Sequence, residues 1–285
     1  MDNALNIIWI LILLQTFIPY IQKRILEARR KWTLRKIEQE RESRAITLIH
    51  RQETMQLLGF PIARYIDIED SEQVLRAIRL TPSEMPINLI LHTPGGLVLA
   101  SEQIACALKR HQGEVTVFVP HYAMSGGTLV ALAADQIVMD SDAVLGPVDP
   151  QLGDRRGNQL PAASVLKALE EPNPNRDDQT LIMGDVARKA ITQVHDLVYS
   201  LVEDTMPEEE AEELAQALST GRWTHDYPIS FEQSKDLGLP VSDEMPEQVY
   251  DLMNLYPQTS QRRPSVEFIP MPYRSPDQGS GGNNG

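Results

Sequence analysis

Ile87-Asn88-Leu89-Ile90-Leu91-His92-Thr93-Pro94-Gly95-Gly96 decides how this chain folds, because the same plan returns at Val115 to Val119 followed by Met124-Ser125-Gly126-Gly127. In each case a short run with strand character enters a glycine turn. Each turn then opens onto residues with helical character: Leu97 to Arg110 after the first, with apolar positions at helical spacing, and the small-residue stretch Thr128 to Ala134 after the second. Glycine neither blocks a bound acyl group nor forbids a positive φ, and N–H groups at a helix start lack intrahelical partners. Such donors can face a developing oxyanion. The pair of turns therefore reads as an oxyanion hole, Gly96 and Gly126, beside a nucleophile, Ser125.

From Ala45 onward strands and helices alternate. Ile46 to His50, Tyr65 to Ile68 and Gln136 to Met139 have strand character, and Ser71 is the expected N-cap of a helix over Glu72 to Leu80. Leu181 to Asp204 is a long amphipathic helix and Glu208 to Leu218 an acidic one. Repeated βα alternation implies a mainly parallel, layered α/β core.

The N-terminus is different in kind. Asn3 to Gln22 is a run of 20 uncharged residues, which as a helix would span about 30 Å, enough to cross a bilayer. Asp2 stands where a cleaved signal peptide would carry basic residues, and no Ala-x-Ala-like site follows, so an uncleaved anchor is expected. Lys23, Arg24, Arg29, Arg30, Lys31, Arg35 and Lys36 come next against the single Glu27, in a chain whose net charge is −14. The positive-inside rule then puts the catalytic domain in the cytoplasm, with the basic helix against anionic lipid. The expected organisation is a transmembrane anchor over 1–22, a basic juxtamembrane helix over 23–44, a catalytic domain over 45–256 and a disordered tail over 257–285, where Pro, Gln, Ser, Gly and Asn dominate.

Composition excludes several classes. The acidic balance and the lack of a basic stripe with interleaved aromatics argue against nucleic acid. Neither a Gly-x-x-x-x-Gly-Lys loop nor a metal-ligand motif occurs, so no cofactor, no metal and no ATP bound by this chain are expected. The single cysteine, Cys106, excludes an intramolecular disulfide and reads as a buried structural thiol.

A Pro-Gly-Gly turn followed 29 residues after Gly96 by Ser125 resembles the ClpP/crotonase-type serine peptidases. Ala134-Asp135-Gln136-Ile137, Leu145-Gly146-Pro147, Gly221-Arg222-Trp223-Thr224 and Ser234 to Leu239 resemble signal peptide peptidase A, and within that group the serine dehydrogenase proteinase family, from roughly Arg44 to Tyr256. The resemblance implies a ClpP/crotonase-like spiral of ββα units preceded by one transmembrane helix. It also implies polypeptide substrates that are membrane-associated or unfolded, or released signal peptides, and a homo-oligomer. A crotonase-type acyl-CoA enzyme and a catalytically silent membrane scaffold are the alternatives.

A serine hydroxyl needs a base. ClpP uses a histidine on a strand after the serine, but here none of the six histidines lies between Tyr122 and Val194. Signal peptide peptidase A and its relatives use a desolvated lysine, tuned in such enzymes to about 7 to 8. Lys167, 42 residues after Ser125 and ahead of the long helix, matches that role, with Lys189 as the alternative base and Lys235 more remote. Each has a surface explanation as well: Glu170 and Glu171 at i+3 and i+4 from Lys167, and Asp185 at i−4 from Lys189. His92 and His121 flank the two turns and read as orienting residues.

Overall fold

The computed structural model describes residues 2–51, 64–153 and 158–256 and, for residues 2–16 and 19, the backbone alone. The tail expected over 257–285 lies outside the described residues. In chain order the elements are α1 (Asp2–Glu40), β1 (Arg44–Ile49), α2 (Ile68–Arg79), β2 (Ile87–His92), α3 (Val98–Lys109), β3 (Val115–Val119), β4 (Tyr122–Ala123), α4 (Gly126–Leu132), β5 (Gln136–Met139), β6 (Val144–Leu145), β7 (Gln151–Gly153), β8 (Gln159–Pro161), α5 (Ala162–Glu170), α6 (Asp178–Val202), α7 (Glu208–Ser219), β9 (Ile229–Ser230), α8 (Phe231–Asp236), β10 (Val241–Ser242) and α9 (Glu247–Asn254).

The main sheet has the order β1-β2-β3-β5-β10, and every pairing in it is parallel. β2 and β3 are buried along their whole length, as central strands covered on both faces must be. Their side chains alternate between two cores. Leu89, Leu91 and Val117 join the core beneath α3, α4, α6 and α7, whereas Ile90 and Phe118 join a second core with Ile37, Val249, Leu252 and Met253 from α1 and α9. A second, small sheet β4-β6-β9 carries the partner strands, so that β3, β4 and α4 make one ββα unit. The fold is thus mixed α/β, built on a parallel sheet.

Two local expectations change. The segment read as a strand at Tyr65 to Ile68 is reduced to a single bridge from Ile66 to Gly96. α2 starts at Ile68 and is capped by Asp67, which accepts the Asp70 N–H while the Asp70 carboxylate accepts the Asp67 N–H. This reciprocal cap displaces Ser71, whose hydroxyl donates to Ile68 O instead.

The basic segment is one continuous helix with the residues before it, and its last turns are part of the domain. Ile37 is buried against the sheet, Arg30 Nε donates to Leu255 O at 2.8 Å, and the Arg30 guanidinium lies 3.9 Å over the Tyr256 ring. Among the described residues no helix is long and apolar enough to cross a membrane. The side chains of residues 2–16 and 19, which hold most of the expected span, lie outside that description.

Candidate active site

The two glycine turns are packed into each other. Thr93 N donates to Tyr122 O at 3.2 Å and Met124 N to Thr93 O at 3.0 Å, which ties the end of β2 to β4. Gly95 adopts φ +105°, and a Cβ there would stand 2.8 Å from both Ser125 Cβ and Met124 O. A Cβ on Gly126 would stand 2.2 Å from Ser101 Oγ and 3.4 Å from Gly96 N. Glycine is therefore required at these positions by close approach, and at Gly95 by conformation too. Among the described residues no acceptor takes the N–H of Gly96 or Gly126. Two adjacent free donors beside one serine form the geometry that binds an oxyanion.

Ser125 sits at the N-terminus of α4 with φ 50° and ψ −116°, a conformation that costs a non-glycine residue about 1–3 kcal/mol. Its hydroxyl does not cap the helix, although serine is a preferred cap. The side chain is half-buried and free to react.

The oxyanion turn is braced from behind by residues that sequence reading missed. Ile66 N donates to Gly95 O at 2.7 Å and Leu97 N to Ile66 O at 2.9 Å. The Thr93 hydroxyl takes the Gly95 N–H at 3.2 Å and meets His50 Nδ1 at 2.9 Å, while His50 Nε2 lies 3.1 Å from Asp70 Oδ2. Substituting Gly96 exposes this brace, since a Cβ there would stand 2.2 Å from the backbone oxygen of Ile66. Gly96→Ala is expected to push the turn off the Ile66 segment and lower kcat by about 10² to 10³, the size of one lost oxyanion donor, with circular dichroism unchanged.

The two candidate lysines each make a local ion pair. Lys167 Nζ is 2.6 Å from Glu170 Oε2 on the exposed face of α5, and this hydrogen bond raises its pKa, opposite to the depression a general base needs. Lys189 pairs with Asp185 at 2.6 Å on the exposed face of α6. In this chain both lysines are held as surface ion pairs, the arrangement their sequence neighbours allowed.

A histidine and a carboxylate are paired between the segments that follow β6 and α7. The Thr128 hydroxyl donates to Gly146 O at 2.8 Å and accepts from Gly146 N at 3.0 Å, which ties Gly146 to α4, and Val148 N then donates to Leu218 O at the end of α7. Three residues after Gly146, the buried Asp149 carboxylate meets His225 Nδ1 at 2.8 Å and accepts from Gln151 Nε2 at 2.6 Å. The pairing fixes the ring and leaves Nε2 available. Asp149 and His225 lie 76 residues apart in sequence, so no local pattern announces them.

A groove of about 700 Å³ begins two residues beyond Gly96, between Val98 and Glu102 of α3, Gln151 and Leu152 of β7, and Val194 and Leu197 of α6. Cys106 also lines it. The buried thiol expected from sequence is only half-buried, and this burial raises its pKa, so the thiol keeps its proton.

His92 is buried, and burial, then Arg51, His121 and His50, lower its pKa to about 4. A folded pKa below the unfolded value of 6.5 means that stability is complete above pH 6.5 and declines as pH falls toward 4. His50, also lowered mainly by burial, acts in the same direction. The denaturation midpoint is expected to fall between pH 6.5 and 4, less steeply in His92→Phe than in wild type.

A family model described as ClpP-like SDH-type serine proteinase matches residues 1–283. The chain is 54% identical over 267 residues to an uncharacterised protein of Methanocaldococcus jannaschii, MJ0137, covering 93% of this chain and 92% of that one. A second protein of the same organism, MJ1495, is 50% identical over 272 residues, covering 95% and 91%. Among solved structures, a mutant of the 1510-N membrane-bound stomatin-specific protease aligns with TM-score 0.44 and 19% identity over 67% of this chain and 79% of that one. ClpP1 from Listeria monocytogenes aligns with TM-score 0.45 and 14% identity over 75% and 98%. With the match spanning nearly the whole sequence, and with a serine set between two glycine turns at the ends of parallel strands, this chain belongs to the ClpP-like SDH-type serine proteinase family.

Proposed function

We propose that this chain is an ATP-independent serine endopeptidase in which Ser125 Oγ attacks a peptide carbonyl and the N–H groups of Gly96 and Gly126 hold the tetrahedral oxyanion. The observation that carries the reading is the approach of the two turns, with Gly126 packed onto Gly96 N and Ser125 strained between them. The serine proton passes to a base and then to the leaving amine, and water releases the acyl group from Ser125. The exposed strip Leu97-Val98-Leu99 and the adjoining groove suit an extended polypeptide. A crotonase-type acyl-CoA reaction is disfavoured because a serine stands where such an enzyme places a carboxylate.

We assign the base to His225 aligned by Asp149, on the strength of their 2.8 Å contact and the buried carboxylate. The second reading is a Ser125–Lys167 dyad, which the resemblance to signal peptide peptidase A implies. It requires the Glu170 pair to break and Lys167 to be desolvated, for which a neighbouring subunit of a homo-oligomer closing over α5 is the means. Lys189 would need the same release from Asp185. Activity of His225→Ala against Lys167→Ala separates the readings.

The N-terminus is proposed to anchor the enzyme in a membrane with the catalytic domain cytoplasmic, so that substrates are membrane-associated or unfolded polypeptides and signal peptides. Phe17, Ile18, Tyr20 and Ile21 are exposed along α1 just before its basic stretch, which supports a lipid contact. The full chain is expected to stay with membranes through alkaline extraction and a form lacking residues 1–22 to be released. Extraction of the full chain into the soluble fraction would remove the anchor from the proposal.

A further inference from the structure

We propose that the pocket at the carboxyl ends of β1, β2 and β3, lined by Arg51, His92 and His121, binds a small oxyanion, a carboxylate or a phosphate group, as a second site beside the catalytic serine. The pocket has a volume of about 310 Å³ and is closed on its far side by Tyr250 and Asn254 at the end of α9. In parallel α/β sheets ligands collect beyond the carboxyl ends of the strands, and three neighbouring strands end here.

The donors around the pocket outnumber their partners. His92 is 2% exposed, yet neither ring nitrogen has a hydrogen-bond partner among the described residues, and the same holds for the buried Arg51 Nε. Arg51 spends one terminal nitrogen on Met253 O at 2.9 Å. Buried polar groups left unpaired are costly, and a group of them around one cavity calls for a ligand that pairs them. The His92 ring lies 5.6 Å from that of His121 and 4.3 Å from that of Tyr122, so the imidazoles and the guanidinium form one cluster.

The charge around this cluster is one-sided. The Asp140 carboxylate accepts from the hydroxyl of the pocket residue Tyr250 and from the Asp142 N–H. Among the described residues no carboxylate pairs with Arg51. A planar or tetrahedral oxyanion fits a guanidinium fork together with an imidazole N–H, which identifies the ligand by chemistry. His92 leads into Thr93 and the oxyanion turn, and His121 into β4 and Ser125, so the bound anion would sit behind both turns without touching the reacting atoms.

Equilibrium dialysis of the full chain against radiolabelled inorganic phosphate, and against a labelled N-blocked peptide with a free C-terminal carboxylate, tests the site. Saturable uptake of at least one probe, a single molecule per chain, is expected. Uptake should weaken about tenfold or more in Arg51→Gln and in His121→Gln, the second being an exposed position that does not threaten folding, and be unchanged in Ser125→Ala. Uptake of phosphate alone identifies a phosphate group as the occupant. Uptake of the peptide acid but not of its C-terminal amide identifies a carboxylate. Absence of saturable uptake of both probes, uptake unchanged in both variants, or uptake lost in Ser125→Ala would overturn the assignment.

Discussion

Ser125→Ala is expected to lower peptide hydrolysis about a million-fold, the loss seen when the nucleophile of a serine protease is removed, while the folded domain is retained. The effect is large because among the described residues the hydroxyls beside it are committed: Ser101 is fully buried behind Gly126, and Thr93 is spent on Gly95 and His50. Ser125→Gly should be equally inactive but more stable than wild type. Glycine adopts φ 50° without the strain of about 1–3 kcal/mol that serine pays there, so its denaturation midpoint should rise where that of Ser125→Ala does not. Together the two variants separate a strained nucleophile from a structural serine. Near wild-type hydrolysis by either protein, in preparations free of other peptidases, would remove Ser125 from the mechanism.

His225→Ala carries the second largest expected loss, about 10³ to 10⁴ in kcat, whereas Lys167→Ala should change the rate little because its Nζ is engaged by Glu170 in solvent. Asp149→Asn tests the same pair from the other side. An amide keeps the shape but cannot stabilise the imidazolium that forms when Ser125 gives up its proton, so kcat should fall while KM holds. An inactive Lys167→Ala beside an active His225→Ala would restore the lysine dyad. Lys167→Arg would then be inactive as well, since arginine does not release its proton.

The parts of this site that sequence made legible are those written in adjacent residues. A strand, a glycine turn and a helix follow one another within Ile87 to Arg110 and again within Val115 to Ala134, and the structure packs Gly96, Ser125 and Gly126 together as that pattern implied. The Lys167–Glu170 ion pair was equally legible, because oppositely charged side chains at that spacing meet on a helix. Ser71 lost the capping role to Asp67 for a related reason: a reciprocal pair, Asp67 with Asp70, satisfies two backbone donors where a single hydroxyl satisfies one. What no local pattern could disclose are the contacts closed by the fold. His50 reaches Thr93 across 43 residues, where the parallel pair β1 and β2 ends, and His225 reaches Asp149 across 76, in segments beside the antiparallel pair β6 and β9. Buried polar residues at strand ends, His50, His92 and Thr93, were the one available hint, since such groups are kept only when something pairs with them.

The most direct measurement is labelling of the full chain with a fluorophosphonate probe followed by peptide mapping of the adduct. The expected result is a single adduct on Ser125 that blocks peptide hydrolysis and is absent from Ser125→Ala. An unlabelled wild-type chain that still hydrolyses peptides, or an adduct on another residue, would contradict a nucleophile set between the Gly96 and Gly126 turns.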